Sequence, residues 1–537
     1  MGLWSSSYKS LVMMTGSAIA TLVVFFLSNA FVIFPVSIRL RPFFPHIRIQ
    51  INFASAPVLG VAILWATECI GTSVIRDGIV GVEGIKPYNI VILFISLTYM
   101  SISLQITGVL DAAALWLRNK VSSNGYKAYF YAYVLFTLLS MVLGNYPVIL
   151  LGTPSIVLVT SFSEVNPISW LFAKFAAANT ASMVLFVGNP TNVVLCEGFR
   201  INNATYSAYT IFPFIACSVV CFVSLAFQFR DMKYIQRRLP LGHFYSRAVL
   251  LDPVGAWVGG VLLGTCLVAI LAVSHFGIDV WKITLPFTVV KLIWDFAWDL
   301  WRGLRGMHVH MALKIEKSMR QDSFGISTEP SRRDMLSGDA RQIPGEVNLP
   351  ESFPVKTTLL SQKLPQQEQF IPTIFYAFRR LPFALVPFVF SQFILIEGLR
   401  HQGWVDVFAV WLVRATGRAI YPTIWIVGIF GVIMCNFSGS NIGATILLTK
   451  VLCSPQGFSR HSSQSVAAAI ALAVASNIGA VNLTPSASPA GLLWRRILNQ
   501  KGISVRQQVF AFWNLLPIIV MTVTGLAVVC VEMAVLY

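Results

Sequence analysis

The chain has 537 residues, of which 56% are hydrophobic and 11% charged, and its mean hydropathy is +0.71. A soluble domain carries about 25% charged residues, so this composition excludes an ordinary water-soluble enzyme. The net charge of +17 does not point to nucleic acid, because many Lys and Arg residues fall in short stretches between apolar blocks, where membrane proteins keep them.

The apolar blocks are long enough to span hydrocarbon, which takes ~20 residues of helix. In lipid the backbone must bond to itself, so the blocks read as helices. In chain order they are expected at 11–34, 53–74, 88–106, 128–144, 147–162, 171–196, 207–229, 253–275, 283–300, 381–399, 404–416, 421–437, 441–453, 465–482 and 508–533. The first block is longer than a signal-peptide core and reads as a membrane anchor. The fold class is an all-α polytopic membrane protein with about ten or more spans. Four parts follow: an N-terminal helix and basic loop (1–52), a first membrane half (53–300), a linker (301–370) and a second half (371–537). The linker is rich in Ser, Gln, Pro, Lys and Arg, and reads as a disordered cytoplasmic tether. Basic residues at Arg39–Arg48, Arg118–Lys127, Arg230–Arg247 and Arg495–Arg506 assign those loops to the cytoplasm. The sequon at Asn203 would then lie outside.

Four polar interruptions carry the functional argument. Gly144-Asn145-Tyr146-Pro147 precedes an apolar run that includes Thr153, and proline breaks helix there. Asn179-Thr180 is followed by Gly188-Asn189-Pro190-Thr191-Asn192. This stretch should stop a helix and aim a new half-helix, Val193 onward, at the break. In the second half, Asn436-Phe437-Ser438-Gly439-Ser440-Asn441 interrupts one run. Asn477 and then Thr484-Pro485-Ser486-Ala487-Ser488 interrupt another. Irregular backbone at membrane depth is tolerated only inside protein or against a cavity. The breaks recur in the same order in both halves, with flanking helices expected to run in opposite directions. That is the pattern of an inverted-repeat secondary transporter with re-entrant hairpins and broken helices.

These motifs resemble the ion transporter superfamily, which includes arsenite efflux permeases and citrate and other divalent-anion transporters. Gly188 to Asn192 is similar to that group's Gly-Thr-Pro-Pro-Asn-type break. Ser440 to Thr445 and Asn477 to Trp494 resemble the arsenite-permease branch most. The resemblance covers about 88–533 without the linker. It implies a scaffold and a mobile core, elevator-type alternating access and commonly a homodimer. One departure stands out: the branch usually has Asn-Asp at the first break, and Tyr146 follows Asn145 here. Asn477 likewise stands where an acidic residue often sits.

The expected function is carriage of a small inorganic oxyanion or neutral hydroxylated solute, arsenite-like. Organic dicarboxylate or citrate transport by the same fold, and a membrane scaffold or enzyme, are the alternatives. Candidate solute-binding residues are Asn145, Pro147, Thr153, Asn179, Thr180, Gly188, Asn189, Pro190, Thr191, Asn192, Asn436, Ser438, Ser440, Asn441, Asn477, Thr484, Ser486 and Ser488. No cofactor, metal, nucleic acid or catalytic residue is expected; the lipid bilayer is, with the plasma membrane favoured. Glu68, Lys174 and Glu197 read as interfacial anchors, and so does the stripe Lys291, Asp295 and Asp299, set between Trp294 and Trp298. Cys196 and Cys435 read as packing residues.

Overall fold

The computed structural model describes residues 15–39, 48–120, 124–162, 165–237, 250–273, 278–305, 372–459 and 462–537. All but five residues of the proposed linker, 306–370, lie outside these, as do six of the seven histidines; the seventh, His401, ends a helix.

Before residue 306 the chain runs α1 (Gly16–Ile33), α2 (Ser55–Ala66), α3 (Thr72–Val80), α4 (Pro87–Ile106), α5 (Val109–Lys120), α6 (Gly125–Leu143), α7 (Asn145–Phe162), α8 (Pro167–Ala181), α9 (Pro190–Phe199), α10 (Asn203–Gln228), α11 (Pro253–Val273) and α12 (Trp281–Leu304). From Pro372 it runs α13 (Pro372–Arg380), α14 (Leu385–His401), α15 (Trp404–Thr416), α16 (Ile420–Phe437), α17 (Asn441–Leu452), α18 (Ser463–Gly479), α19 (Pro489–Gln500) and α20 (Gln507–Leu536). A short hairpin, β1 (Val36–Arg39) with β2 (Arg48–Ile51), pairs Val36 with Ile51 and is a small departure from the all-α expectation. Among the described residues eight helices are long and apolar enough to cross a membrane. That is fewer than the ten or more expected, because several blocks are divided. The protein is an integral, multi-pass membrane protein. Phe212, Phe227, Trp257, Val268 and Ile293 are exposed on its outside. Such a surface suits hydrocarbon and not water.

The interior is built on α8 and α18. Every residue of α8 from Pro167 to Ala181 except Trp170 is buried. The alanines of α18 are buried too and let neighbours approach closely: a β-carbon on Gly431 of α16 would lie 2.9 Å from Cβ of Ala475. Around these two helices the contacts come in matching pairs. α6 and α7 pack on α8, as α16 and α17 pack on α18. The half-helix α9 lies on α17 of the other half, and α19 lies on α7. α10 and α20 pack along each other. Outside this core α4 packs with α11, α12 and α13, and α14 packs with α1, α2 and α3.

Several expectations are corrected. The block 53–74 is two helices, with Glu68 in the turn between them at φ +55°. Asn203 is buried as the first residue of α10, so the folded chain does not present that sequon. The stripe on α12 is not interfacial. Lys291 pairs with Asp295 and donates to Ser103 Oγ (2.6 Å), while Tyr99 and Ser103 hydroxyls donate to Asp295 (2.9 and 2.7 Å). Two turns on, Arg302 joins Asp252 (3.0 Å) and Asp299 (2.6 Å), and Asp299 accepts from Thr373 N–H (2.8 Å). Each charge finds its partner within the protein, so the charged face of α12 turns inward. The Trp294, Trp298 and Trp301 rings stack along its flank.

Candidate functional site

All four expected interruptions exist, though their limits differ from the expected ones. The first is a single residue. Gly144 ends α6 with φ +81°, and a β-carbon there would lie 2.8 Å from the Gly188 carbonyl oxygen. Left-handed backbone pressed against another chain segment requires glycine. The first and second breaks therefore touch backbone to backbone. Asn145 opens α7, and its Nδ2 donates to Asn179 Oδ1 on α8 (3.0 Å). Pro147, Asn145 and Gly144 line one wall of a narrow cleft; Gly188, Asn189 and Pro190 line a second, and Thr98 of α4 belongs to a third.

α8 stops at Ala181, earlier than expected, and the non-α stretch Ser182–Asn189 contains one 3-10 turn, Phe186–Gly188. Asn192 stitches it by donating to the carbonyls of Ser182 (2.8 Å) and Leu185 (2.9 Å). The half-helix begins at Pro190 rather than Val193, and Asn189 Oδ1 caps it on Thr191 N–H (3.3 Å). The Thr191 hydroxyl is buried without a partner. Thr180 turns away, its hydroxyl meeting Met521 Sδ of α20 (3.3 Å). Thr153 lies two turns into α7, its hydroxyl donating to Ile149 O (2.6 Å) and accepting from Lys174.

In the second half, Ser438–Ser440 separates α16 from α17, and Ser440 Oγ caps Gly443 N–H (3.0 Å). Asn436 still belongs to α16 and reaches the fourth break, where its Oδ1 accepts from Leu483 N–H (2.9 Å). That break runs from Ala480 to Ser488, with Asn482 at φ +54° and a 3-10 turn at Pro485–Ala487. Ser488 caps Gly491 N–H (2.9 Å), Ser486 is buried, and the Thr484 hydroxyl is buried without a partner. The half-helix ends expected to face a solute openly are thus partly satisfied by their own caps.

One residue of the second half closes the first-half break. Asn477 of α18 accepts from Ser182 Oγ (3.1 Å) and Asn189 Nδ2 (3.1 Å), and its Nδ2 donates to Asn192 Oδ1 (2.8 Å). The second half thereby completes the first-half break. The eighteen candidate residues do not share one cavity. The cleft gathers Asn145, Pro147, Gly188, Asn189 and Pro190; Ser438, Asn441 and Thr484 belong to the second-half breaks, apart from it.

Two residues missed in the sequence lie at that second group. Gln392 of α14 donates to Asn29 Oδ1 of α1 (2.8 Å). A β-carbon on Gly439 would lie 2.9 Å from Asn29 Oδ1, and one on Gly443 3.2 Å from Gln392 Oε1. Asn29 Nδ2, Gln392 Oε1, Ser438 Oγ and Asn441 Oδ1 are all buried without partners. Turning both amides over still leaves one amide N–H₂ and one amide oxygen free. Each unmet bond costs about 1–3 kcal/mol, so such a cluster marks a place completed by something else. A lone Asn or Gln in an apolar run was the available signal.

Residues 51–306 match the family model described as citrate transporter. The arsenical pump membrane protein of Escherichia coli strain K12 is 26% identical over 223 residues, 41% of this chain and 52% of that protein. In sequence, then, this chain is similar to a citrate transporter family over its first half and to arsenical pump membrane proteins. The arsenical pump membrane protein of Yersinia enterocolitica is 24% identical over 244 residues, 43% of this chain and 56% of that one. The chain spans about half the length of the curated relatives it matches. Two solved structures align along nearly the whole chain. The YdaH transporter of Alcanivorax borkumensis has a TM-score of 0.47 at 12% identity, covering 97% of this chain and 98% of that one. Neisseria gonorrhoeae MtrF, from a class of antimetabolite efflux pumps, has a TM-score of 0.43 at 13% identity, covering 98% and 97%.

Proposed function

We propose that this permease relative is a secondary carrier for a small neutral hydroxylated solute or inorganic oxyanion, arsenite-like in size and chemistry. The observation that carries the reading is Asn477, which ties one broken helix to the other half's break through three side-chain bonds. Irregular backbone held this way offers amides and hydroxyls without a fixed charge. No described residue lining the cleft is charged, which suits a neutral solute better than citrate. The citrate alternative draws its support from the family match alone. The paired contacts of α9 with α17 and α19 with α7 support an inverted repeat. In that reading the core of α6–α10 and α16–α20 moves against α4 and α14 as an elevator. A homodimer and residence in the plasma membrane are part of the same proposal.

The test is flux into proteoliposomes with a solute panel, repeated for Asn189→Ala and Asn441→Ala. Both variants should remain monodisperse and lose ~10-fold or more of the flux, since misplacing a bound solute by an ångström is that costly. Unchanged flux refutes the site. Saturable citrate binding with none for arsenite overturns the substrate class.

A further inference from the structure

α8 carries one basic residue, Lys174, and it is 1% exposed. Its stem runs past Gly152, where a β-carbon would come within 3.1 Å of Lys174 Cδ and 2.7 Å of the Phe136 ring. Glycine at 152 thus leaves the room the stem needs. The amine donates to Ile149 O (3.2 Å) and to the Thr153 hydroxyl oxygen. Thr153 spends its own proton on Ile149 O, so its oxygen faces the amine as an acceptor. No described carboxylate pairs with Lys174. The helices packed on α8 bring Lys127 on α6, Glu532 on α20, and Arg495 and Arg496 on α19. α7, α10 and α18 carry no charged residue. Asp111 of α5 reaches α7 but is engaged by Ser155. The other titratable groups, among them Tyr129, Tyr133, Tyr146, Tyr206, Cys217 and Cys221, make no bond to the amine.

Two acceptors and no counter-charge are what a neutral amine needs; an ammonium has a third N–H and a full charge to satisfy. A buried charge without compensation is costly. In this conformation, then, the cradle fits the deprotonated form. We propose that Lys174 is the group that binds and releases the coupling proton. The inference rests on the carrier reading above. One proton adds to the Lys174 lone pair when the α7–α8 seam opens to water on one side, and the same proton leaves on the other; no other bond changes. The link to the solute site is short. Asn145, Ile149 and Thr153 fall on one face of α7 at four-residue spacing, and Lys174 precedes Asn179 by about 7.5 Å of helix. The Asn145–Asn179 bond and the lysine bonds fasten the same seam. A protonation that loosens one works on the other.

The experiment uses the full chain in proteoliposomes with a trapped pH dye and the solute panel. Wild type should move protons when solute is added, and a pH gradient should drive solute accumulation. Lys174→Met should keep solute exchange between equal pools while losing both the dye response and accumulation. Thr153→Val, which removes one acceptor and keeps the amine, should shift the pH of half-maximal flux. Lys174→Gln serves in place of Lys174→Met should the methionine variant aggregate. Wild-type flux with a silent dye, or a dye response intact without Lys174, overturns the assignment and leaves the carrier reading standing. Absence of wild-type flux for every solute sinks the carrier reading and the assignment with it.

Discussion

Asn477 concentrates in one amide the bonds that hold the two halves at the break. Truncation by Asn477→Ala leaves Asn189 Nδ2 and Asn192 Oδ1 short of a partner, while the Ser182 hydroxyl keeps the Asn179 carbonyl. Each unmet buried group costs roughly 1–3 kcal/mol. The variant should melt several degrees lower in detergent and lose most flux, checked by thermal unfolding and vesicle uptake. Asn29 and Gln392 answer a different measurement. Their amides lie beside Gly439 and Gly443 at the third break and keep unpaired atoms, so Asn29→Ala should alter the ranking of competing solutes more than the maximal rate. An unchanged ranking would mean that the pair only packs. The sequence displayed Asn477 because Gly479 and the Ser/Pro cluster follow it. It hid Asn29, an isolated polar residue in α1 with no motif around it. It also hid the burial of Lys174. Its place near the start of the helix expected at 171–196 suggested an interface, but chain position says nothing about what covers a side chain.

The breaks belong to the scale of elements. Gly144→Ala places a β-carbon in left-handed backbone, at about 1–2 kcal/mol, and against the Gly188 carbonyl. We expect it to fold less stably and to fail in transport, while Gly264→Ala on α11, with open space around it, should leave both unchanged. The loops leading into α4 and α12 are joined by Lys86 and Asp279 (2.5 Å), with Lys282 at 3.3 Å. Burial raises the Asp279 carboxyl, but the Lys86 and Lys282 ammoniums outweigh it and hold it below its ordinary value. A depressed folded value means the contribution is present above the unfolded value, near about 3.9, and is lost as pH falls through the folded one. Melting below about pH 4 should therefore soften slightly, by under ~1 kcal/mol for so open a pair. Asp279→Asn should remove that acid dependence. Glycine and proline made the interruptions legible, since their backbone limits are local. The exact limits were not, because Ser182, Asn189, Ser440 and Ser488 end or start helices by bonds that only the folded arrangement reveals.

At the scale of the molecule, the elevator reading makes α4 the fixed wall of the cleft. Cysteines at Thr98 and Val187, both lining it, should halt flux when bridged by a thiol reagent. The background should lack the half-buried Cys69, Cys453 and Cys530. Persistent flux after complete bridging would rule out that relative motion. Composition and block length showed the membrane class, because lipid dictates both the length and the apolar character of a span. The face of α12 was misjudged, since periodicity groups Lys291, Asp295 and Asp299 without saying which neighbour they meet. The bonds from Asn477 to Ser182, Asn189 and Asn192 cross 295, 288 and 285 residues of chain. At a synthesis rate of about 5–20 residues per second, the first-half break waits roughly 15 to 60 s for its partner. During that interval its amides stand incomplete in the bilayer. We expect a newborn first half to stay within reach of membrane chaperones and quality-control proteases until Asn477, close to the C-terminal end of the sequence, has been made.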